Sequence, residues 1–358
     1  MRVGISLLTL SPGISGGSET YARGLTEALG RSGRHEYTVL APSRAPDAAG
    51  GLRSVVVDEP AWSGRGPSRI AGMTLATLRS RELRASLAAL DLVYYPLTVP
   101  LPRAQIPKVV TLHDVQHLDL PELFTRSQRL FRRWAYDRAA RSASAVVVPS
   151  AFVRTRALER LGLDPARVHA IPSAVSRDAF HASDEPPGTF VLYPARAWPH
   201  KNHRRLIEAF AGVRGSRPEL RLVLVGEGLE ALGQLPAGVE RRGIVPLDDL
   251  AALYRTAACL VYPSLYEGFG LPPLEAMASG CPVAAANVGA IPEVCAGAAV
   301  LFDPEDPDAI ASAILEALDR RDELRARGLQ RAGEFTWEKT ASAHDAVYAS
   351  AAGSPGAR

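Results

Sequence analysis

YPSLYEGFGLPPLEAMASGCP, residues 262–282, is the stretch from which the rest of the chain is best read. An apolar run, Ala258-Cys259-Leu260-Val261-Tyr262, leads into it and stops at Pro263, as a short buried strand of a parallel sheet does. A loop carrying Glu267-Gly268-Phe269-Gly270 follows, and Pro272-Pro273 mark a helix start. Proline is tolerated there because the amide it lacks has no partner in a first helical turn. The amides of the turn, at Gly270 and Leu271, then point outward at the positive end of a helix dipole, which favours an anion. Glu267 and Glu275 flank this turn eight positions apart. Glu275 lies one turn into the helix and can lean back over the cavity that Glu267 borders.

Two carboxylates repel a phosphate that stands alone. They suit a ligand whose hydroxyls they accept from while amides and cations take its phosphates, which describes a nucleotide-diphosphate sugar. The competing reading, a strand–loop–helix join with exposed acids, is disfavoured by the GFG-x-PP run between them. The stretch resembles the E-x7-E signature of the family-4 retaining glycosyltransferases of the GT-B fold, and the resemblance extends along nearly the whole chain. It implies an α/β architecture of two Rossmann-like domains facing across a cleft, with a C-terminal helix crossing back to the first. It also implies that Glu267, with Gly268 and Phe269, lies against the transferred sugar. Glu275 falls to the ribose, and Gly270 and Leu271 to the donor diphosphate.

A second stretch, FVLYPARAWPHKNHRRLIEAF at 190–210, delivers Arg196 and Lys201 just past a strand end and ahead of an amphipathic helix. Two cations there suit a diphosphate leaving group, whose charge grows as the glycosidic bond breaks. The chain has 38 arginines and only three lysines, Lys108, Lys201 and Lys339, which makes a lysine at this position suggestive. His200 and His203 bracket it; with no third metal ligand evident, both read as surface residues. The resemblance gives Arg196 and Lys201 to the diphosphate, and the W-P-H-K-N-H form is most similar to mannosyl- and related transferases of bacterial polysaccharide pathways.

Weaker signals lie elsewhere. Ser11–Glu19 is a glycine-rich turn opening a helix, although G-x-G-x-x-G is absent; the resemblance puts Gly16 and Gly17 near the donor phosphates and the acceptor. His113 closes the strand Val109–Leu112, and the resemblance makes it, with Glu267, a catalytic residue that positions the sugar. Gly226 ends an apolar strand, as close nucleotide approach requires, and the resemblance puts it, with Val245 and Leu250, at the seat of the ribose and base.

Apolar strands alternate with helical patterns along the chain, as in parallel α/β sheets. The first half holds strands near Val3–Leu8, Tyr37–Ala41, Ser54–Val57, Leu92–Tyr95, Val109–Leu112 and Ala145–Val148. The second holds them near Phe190–Tyr193, Arg221–Val225, Val239–Arg242, Ala258–Tyr262, Val283–Ala286 and Ala299–Phe302. The boundary falls in Ser173–Gly188, giving an acceptor-binding domain 1–178 completed by a helix over 337–352, and a donor-binding domain 179–336. Net charge is +3, but residues 1–180 carry 24 basic and 15 acidic side chains, so the two halves suit different partners.

Residues 126–141 concentrate this charge in Arg126, Arg129, Arg132, Arg133, Arg138 and Arg141. Leu123, Leu130 and Trp134 recur among them at helical spacing, as one buried stripe. A solvated helix is the plain reading; an anionic membrane surface or acceptor phosphate is the sharper one. Nucleic acid is disfavoured, since no binding module accompanies the charge.

The apolar N-terminus reads as a first core strand, not a signal peptide. Three cysteines without metal-ligand spacing point to the cytoplasm, with peripheral contact at the inner membrane face. Residues 353–358 read as an unstructured tail. The function expected is a metal-independent, retaining glycosyltransferase that requires no cofactor. It moves a hexosyl unit, mannosyl from GDP-mannose in the first instance, from a GDP- or UDP-sugar to a glycan, glycolipid or small-molecule acceptor. A nucleotide-sugar epimerase and a non-catalytic nucleotide-sugar-binding protein are its rivals.

Overall fold

The computed structural model describes residues 1–13, 16–60 and 67–353; Ile14 and Ser15 of the glycine-rich turn and the tail beyond residue 353 lie outside them. The chain divides into two compact units, Met1–Ala174 joined by the stretch from Trp337, and Val175–Thr336. Each is built on one wholly parallel sheet.

The first sheet runs in the order β3-β2-β1-β4-β5-β6-β7. Its strands are β1 Arg2–Ser6, β2 Glu36–Pro42, β3 Arg53–Val57, β4 Leu92–Tyr95, β5 Lys108–Thr111, β6 Ala145–Val148 and β7 Val168–Ala170. The second runs β10-β9-β8-β11-β12-β13. It comprises β8 Phe190–Pro194, β9 Arg221–Val225, β10 Val239–Arg241, β11 Cys259–Tyr262, β12 Val283–Ala286 and β13 Val300–Phe302. In both, the order reverses beside the first strand, between β1 and β4 and between β8 and β11. A crevice opens at such a point, because successive connections leave on opposite faces of the sheet. The central strands are covered on both faces and carry uninterrupted buried residues, for example all four of β4 and of β11. That is why their sequences read as apolar runs.

The final helix, Trp337–Gly353, belongs to the first unit and packs on the Gly17–Ser32 helix. Gly24 makes this contact possible: a Cβ there would fall 2.2 Å from the Trp337 indole. A buried polar cluster fixes the register. His344 Nδ1–H donates to Thr340 O at 2.8 Å, which leaves Nε2 to accept from Tyr21 Oη at 2.8 Å. Tyr21 in turn meets Tyr94 Oη at 2.9 Å. Burial holds His344 neutral, its pKa pulled down to about 4.

The basic segment departs from expectation. Leu130 and Trp134 are not buried but 66% and 52% exposed. The helix Arg126–Arg132 passes into a π-helical turn, Arg133–Asp137, before Arg138–Ser142. Leu130 and Trp134 share one face that turns to solvent, while Ala135, Asp137, Ala139 and Ala140 take the inner face. Asp137 accepts from buried His117 at 2.9 Å.

Candidate active site

β8 and β11 end alike, in Tyr193-Pro194 and Tyr262-Pro263, on either side of the reversal point. After β8 a single turn, Pro199–Lys201, hands over at Asn202 to the helix His203–Ser216. Asn202 adopts a left-handed φ of 60°, which a short amide side chain tolerates. Its Nδ2 donates to Pro263 O at 3.1 Å and Pro304 O at 2.8 Å, lashing this turn to the ends of β11 and β13. The Lys201 carbonyl accepts from Tyr193 Oη at 2.5 Å. Backbone and loop are thus fixed before the lysine side chain is placed.

Lys201 Nζ then donates to Glu267 Oε1 at 2.5 Å and to Tyr262 Oη at 3.1 Å. The lysine and glutamate side chains are 15% and 13% exposed. An acid expected beside the sugar and a cation expected on the diphosphate are therefore direct partners. Glu267 is held from behind by the loop after β12: Ala290 N donates to its carbonyl at 3.1 Å. Gly289, φ 62°, permits that approach, since a Cβ there would lie 2.6 Å from the Glu267 carbonyl oxygen.

Glu275 sits in the helix Leu271–Ala278, its Oε2 accepting from Tyr254 Oη at 2.9 Å. Burial pushes its carboxyl up to about 7, against the pull of the Tyr254 bond. Tyr262 feels both carboxylates. Burial drives its phenol well above the ordinary range, and both Glu267 and Glu275 add to the rise. Gly270 caps the helix with φ 113°, and a Cβ there would strike Ile291 Cδ1 at 2.6 Å. Pro272 and Pro273 follow, so among the first three helical residues the only amide hydrogen is that of Leu271. The second unit thus carries beside the β8/β11 reversal a largely buried cation–carboxylate pair, a second buried carboxylate and a layer of tyrosines.

The remaining expected residues are placed less uniformly. The Arg196 guanidinium turns to Glu227, Nε–Oε2 3.5 Å, and lies over the Trp198 ring. Gly268 shares the Glu267 loop, but the Phe269 side chain is drawn into the core, edge-on to Phe335 at 5.9 Å. Its phenyl is therefore a packing element. Gly226 is demanded by packing, because a Cβ would meet the Ala195 carbonyl oxygen at 2.4 Å. Val245 and Leu250 pack against the core, while Ile244 and Leu247 beside them are 72% and 56% exposed. His200 and His203 are buried, contrary to the surface reading. His203 Nε2 lies 3.2 Å from Ala195 O, and desolvation lowers its pKa to about 4. Among the described residues no group of three or more His, Cys, Asp or Glu could hold a metal ion.

In the first unit, Gly16 caps the helix Gly17–Ser32 with φ 54°, and Glu19 in the first turn accepts from Gly13 N at 2.9 Å. His113 follows β5, edge-on to Tyr21, with Nε2–H donating to Pro96 O at 2.7 Å. Desolvation holds its pKa below the ordinary value, so the neutral ring keeps its lone pair on Nδ1. Asp114 accepts from Gln116 N at 3.0 Å and Arg132 at 3.2 Å.

Sequence reasoning missed Tyr193, Tyr254, Tyr262, Asn202 and Gly289. The repeated Tyr-Pro at two strand ends was the available signal; Tyr254 sits on a helix and carried none.

Residues 188–320 match the model of the glycosyl transferases group 1, and residues 15–179 that of Glycosyltransferase Family 4. O-antigen chain mannosyltransferase B of Escherichia coli is 30% identical over 280 residues, 69% of this chain and 71% of that protein. D-inositol 3-phosphate glycosyltransferase of Segniliparus rotundus is 33% identical over 216 residues, 52% of this chain; the chain spans 48% of that relative's length. Among solved structures, Anabaena Alr3699/HepE in complex with UDP-glucose superposes with a TM-score of 0.72 at 18% identity, covering 98% of this chain and 99% of that one.

Proposed function

The chain belongs to the glycosyltransferases of group 1 and family 4, with the GT-B fold, and from that premise we propose that it is a retaining transferase moving a hexosyl unit from a nucleotide-diphosphate sugar to a hydroxyl acceptor. Mannosyl from GDP-mannose is the first candidate, in keeping with the mannosyltransferase relative; the UDP-glucose complex of the Anabaena protein supports a sugar-nucleotide donor. One observation carries the reading: Lys201, Tyr262 and Glu267 form a hydrogen-bonded set beside Glu275 at the β8/β11 reversal.

In this reading Lys201 spends two N–H groups on Glu267 and Tyr262 and offers its third to a phosphate oxygen. The Leu271 amide and Arg196, released from Glu227, complete the diphosphate contacts, with Gly270 giving backbone access; in the first unit, Gly16 and Gly17 leave the start of the Gly17–Ser32 helix open to an anion. Glu275 accepts from ribose hydroxyls, and Val245, Leu250 and Gly226 border the base. Glu267 and the backbone of Gly268 hold the sugar; in the first unit, neutral His113 offers its Nδ1 lone pair as an acceptor for a hydroxyl. The acceptor oxygen attacks the anomeric carbon from the face the phosphate leaves. The bond from that carbon to the phosphate oxygen breaks, its electron pair goes to the phosphate, and the acceptor proton follows. A glycoside of retained configuration and a nucleoside diphosphate result. Lys201 and Arg196 absorb the growing charge, so the scheme uses neither metal nor cofactor. The acceptor is a glycan, glycolipid or small molecule.

The exposed Leu130 and Trp134 beside Arg126 and Arg133 form a basic, apolar-tipped face. It suits peripheral contact with an anionic membrane on the cytoplasmic side. No helix among the described residues is long and apolar enough to cross a membrane.

A thermal-shift screen of GDP-, UDP-, dTDP- and ADP-sugars, followed by NMR of the product, tests the proposal. One nucleotide should raise Tm, and the product should keep the donor's anomeric configuration. An inverted product, or donor isomerised without acceptor, contradicts it.

A further inference from the structure

Among the described residues of the first unit, Thr98 alone combines a side chain with a left-handed φ, at 68°. Val99 N donates to Leu97 O at 2.8 Å across it. That is the three-residue bond of a classic γ-turn, a rare and strained conformation. A β-branched residue makes a positive φ costlier still. Such strain persists only where the surroundings over-determine it, and it gathers at functional sites.

The surroundings that hold the turn lead to His113. Thr98 is 3% exposed, and its Oγ1 donates to Thr111 O at 2.7 Å. Thr111 is the last residue of β5, two positions before His113, and its own hydroxyl meets Tyr94 Oη at 2.6 Å. The turn is therefore tied to the strand that delivers the histidine. Glycine or asparagine would take this φ at lower cost. Threonine is worse for the turn and better only for the bond to Thr111.

On its N-terminal side the turn presents the Pro96 carbonyl, which accepts from His113 Nε2 at 2.7 Å. A carbonyl oxygen can only accept, so this bond keeps the proton of the neutral ring on Nε2 and the lone pair on Nδ1. Tyr21 fixes the ring from another side, edge-on with centroids 5.2 Å apart. Its hydroxyl is itself anchored, to His344 at 2.8 Å and to Tyr94 at 2.9 Å. Among the described residues Nδ1 has no hydrogen-bond partner.

We propose that Thr98 is a positioning residue: its strained turn holds the Pro96 carbonyl against Nε2 and so makes His113 a hydrogen-bond acceptor, and not a donor, toward a substrate hydroxyl. The assignment rests on the reading above that His113 meets such a hydroxyl, and it adds which residue sets the tautomer.

Long-range ¹H–¹⁵N NMR of the full chain with labelled histidine, recorded above neutral pH, reads the proton on each ring nitrogen; the His113 signals are those lost in His113→Ala. Native His113 should show Nε2 protonated and Nδ1 bare. Thr98→Val keeps the side-chain shape and removes the hydroxyl, so a second form protonated on Nδ1 should appear. With the nucleotide sugar that raises Tm most in the screen above, kcat for release of nucleoside diphosphate should fall about tenfold or more, as when a group beside the reacting centre is misplaced, and KM should change little. Thr98→Ser keeps the hydroxyl and should restore both the native signature and most of the rate. If Thr98→Val folds poorly, Thr98→Gly relieves the turn, removes the same bond and should show the same losses. An unaltered His113 signature in the valine and glycine variants overturns the proposal, as does a serine variant as impaired as valine. A signature that moves while the rate stays native also overturns it, by removing the reading that His113 meets the substrate. Failure of every nucleotide sugar to raise Tm removes the transferase reading beneath both.

Discussion

Replacing Lys201 by Met separates what the lysine does for the fold from what it does for the reaction. The ammonium and the Glu267 carboxylate lie 2.5 Å apart, with side chains 15% and 13% exposed. At an effective dielectric near 20 their attraction is about 6–7 kcal/mol, most of it offset by desolvation of the two ions. Removing one partner of a buried pair costs about 3–5 kcal/mol, because the other charge is stranded. Here Tyr262 can turn its hydroxyl to the abandoned carboxylate, and the residual exposure lets water in. The expected loss is therefore about 2–3 kcal/mol, or a Tm drop of about 5–10 °C. Lys201→Met/Glu267→Gln strands no charge and should regain at least half of that loss. Activity should not follow stability: kcat/KM for transfer from a nucleotide sugar should stay about 10²–10³-fold down in both proteins, as when a preorganised charge is removed from an active site. Tm by calorimetry and rate by product NMR read the two quantities independently. Recovery of activity in the double variant would reduce the pair to a structural bridge. A single variant with unchanged Tm and rate would refute the coupling altogether.

Glu275 and His344 give opposite pH signatures in different units. Folded Glu275 keeps its proton to about 7 against 4.5 when unfolded, so stability of the second unit falls as pH rises between those values. The effect is at most about 3 kcal/mol and less where the carboxyl meets solvent; calorimetry should show Glu275→Gln flattening the slope. Folded His344 releases its proton near 4 against 6.5 unfolded. Its contribution is present above 6.5 and is lost as pH falls toward 4, up to about 3 kcal/mol, and Trp337 fluorescence should report the final helix loosening first. Gly289→Ala forces a Cβ onto the Glu267 carbonyl in a left-handed conformation. It should lower kcat by about tenfold or more through misplacement of the carboxylate, at a local cost of about 1–3 kcal/mol; donor KM should change little. Flotation with anionic vesicles should recover the chain, and Leu130→Ser/Trp134→Ser should release it; equal recovery with neutral vesicles would contradict the membrane contact.

Much of the fold could be read because parallel strands covered on both faces leave uninterrupted apolar runs, as in Ala145–Val148 and Val283–Ala286. β7 was missed for the same reason in reverse: of Val168, His169 and Ala170 only the valine is buried, so the edge strand has no run to recognise. The Leu130–Trp134 stripe has the helical spacing expected but faces solvent, because the small residues Ala135, Ala139 and Ala140 take the packed side, and spacing alone does not say which apolar face is covered. The turn carrying Glu267 and Glu275 was legible through proline and glycine, which mark where backbone is constrained, and Lys201 through its place just past a strand end. That Lys201 grips Glu267 was not legible, since it depends on Asn202 and Gly289 bringing three loops together. That the Phe269 ring packs in the core was not legible for a related reason: an aromatic residue in a site loop serves the core as readily as a ligand.

The central claim is spatial and is met most directly by a crystal structure of the full chain with a nucleoside-diphosphate sugar. The account predicts a phosphate oxygen within hydrogen-bond distance of Lys201 Nζ and the Leu271 amide, with ribose hydroxyls on Glu275. A donor bound elsewhere, or one that leaves Glu275 untouched, would contradict it.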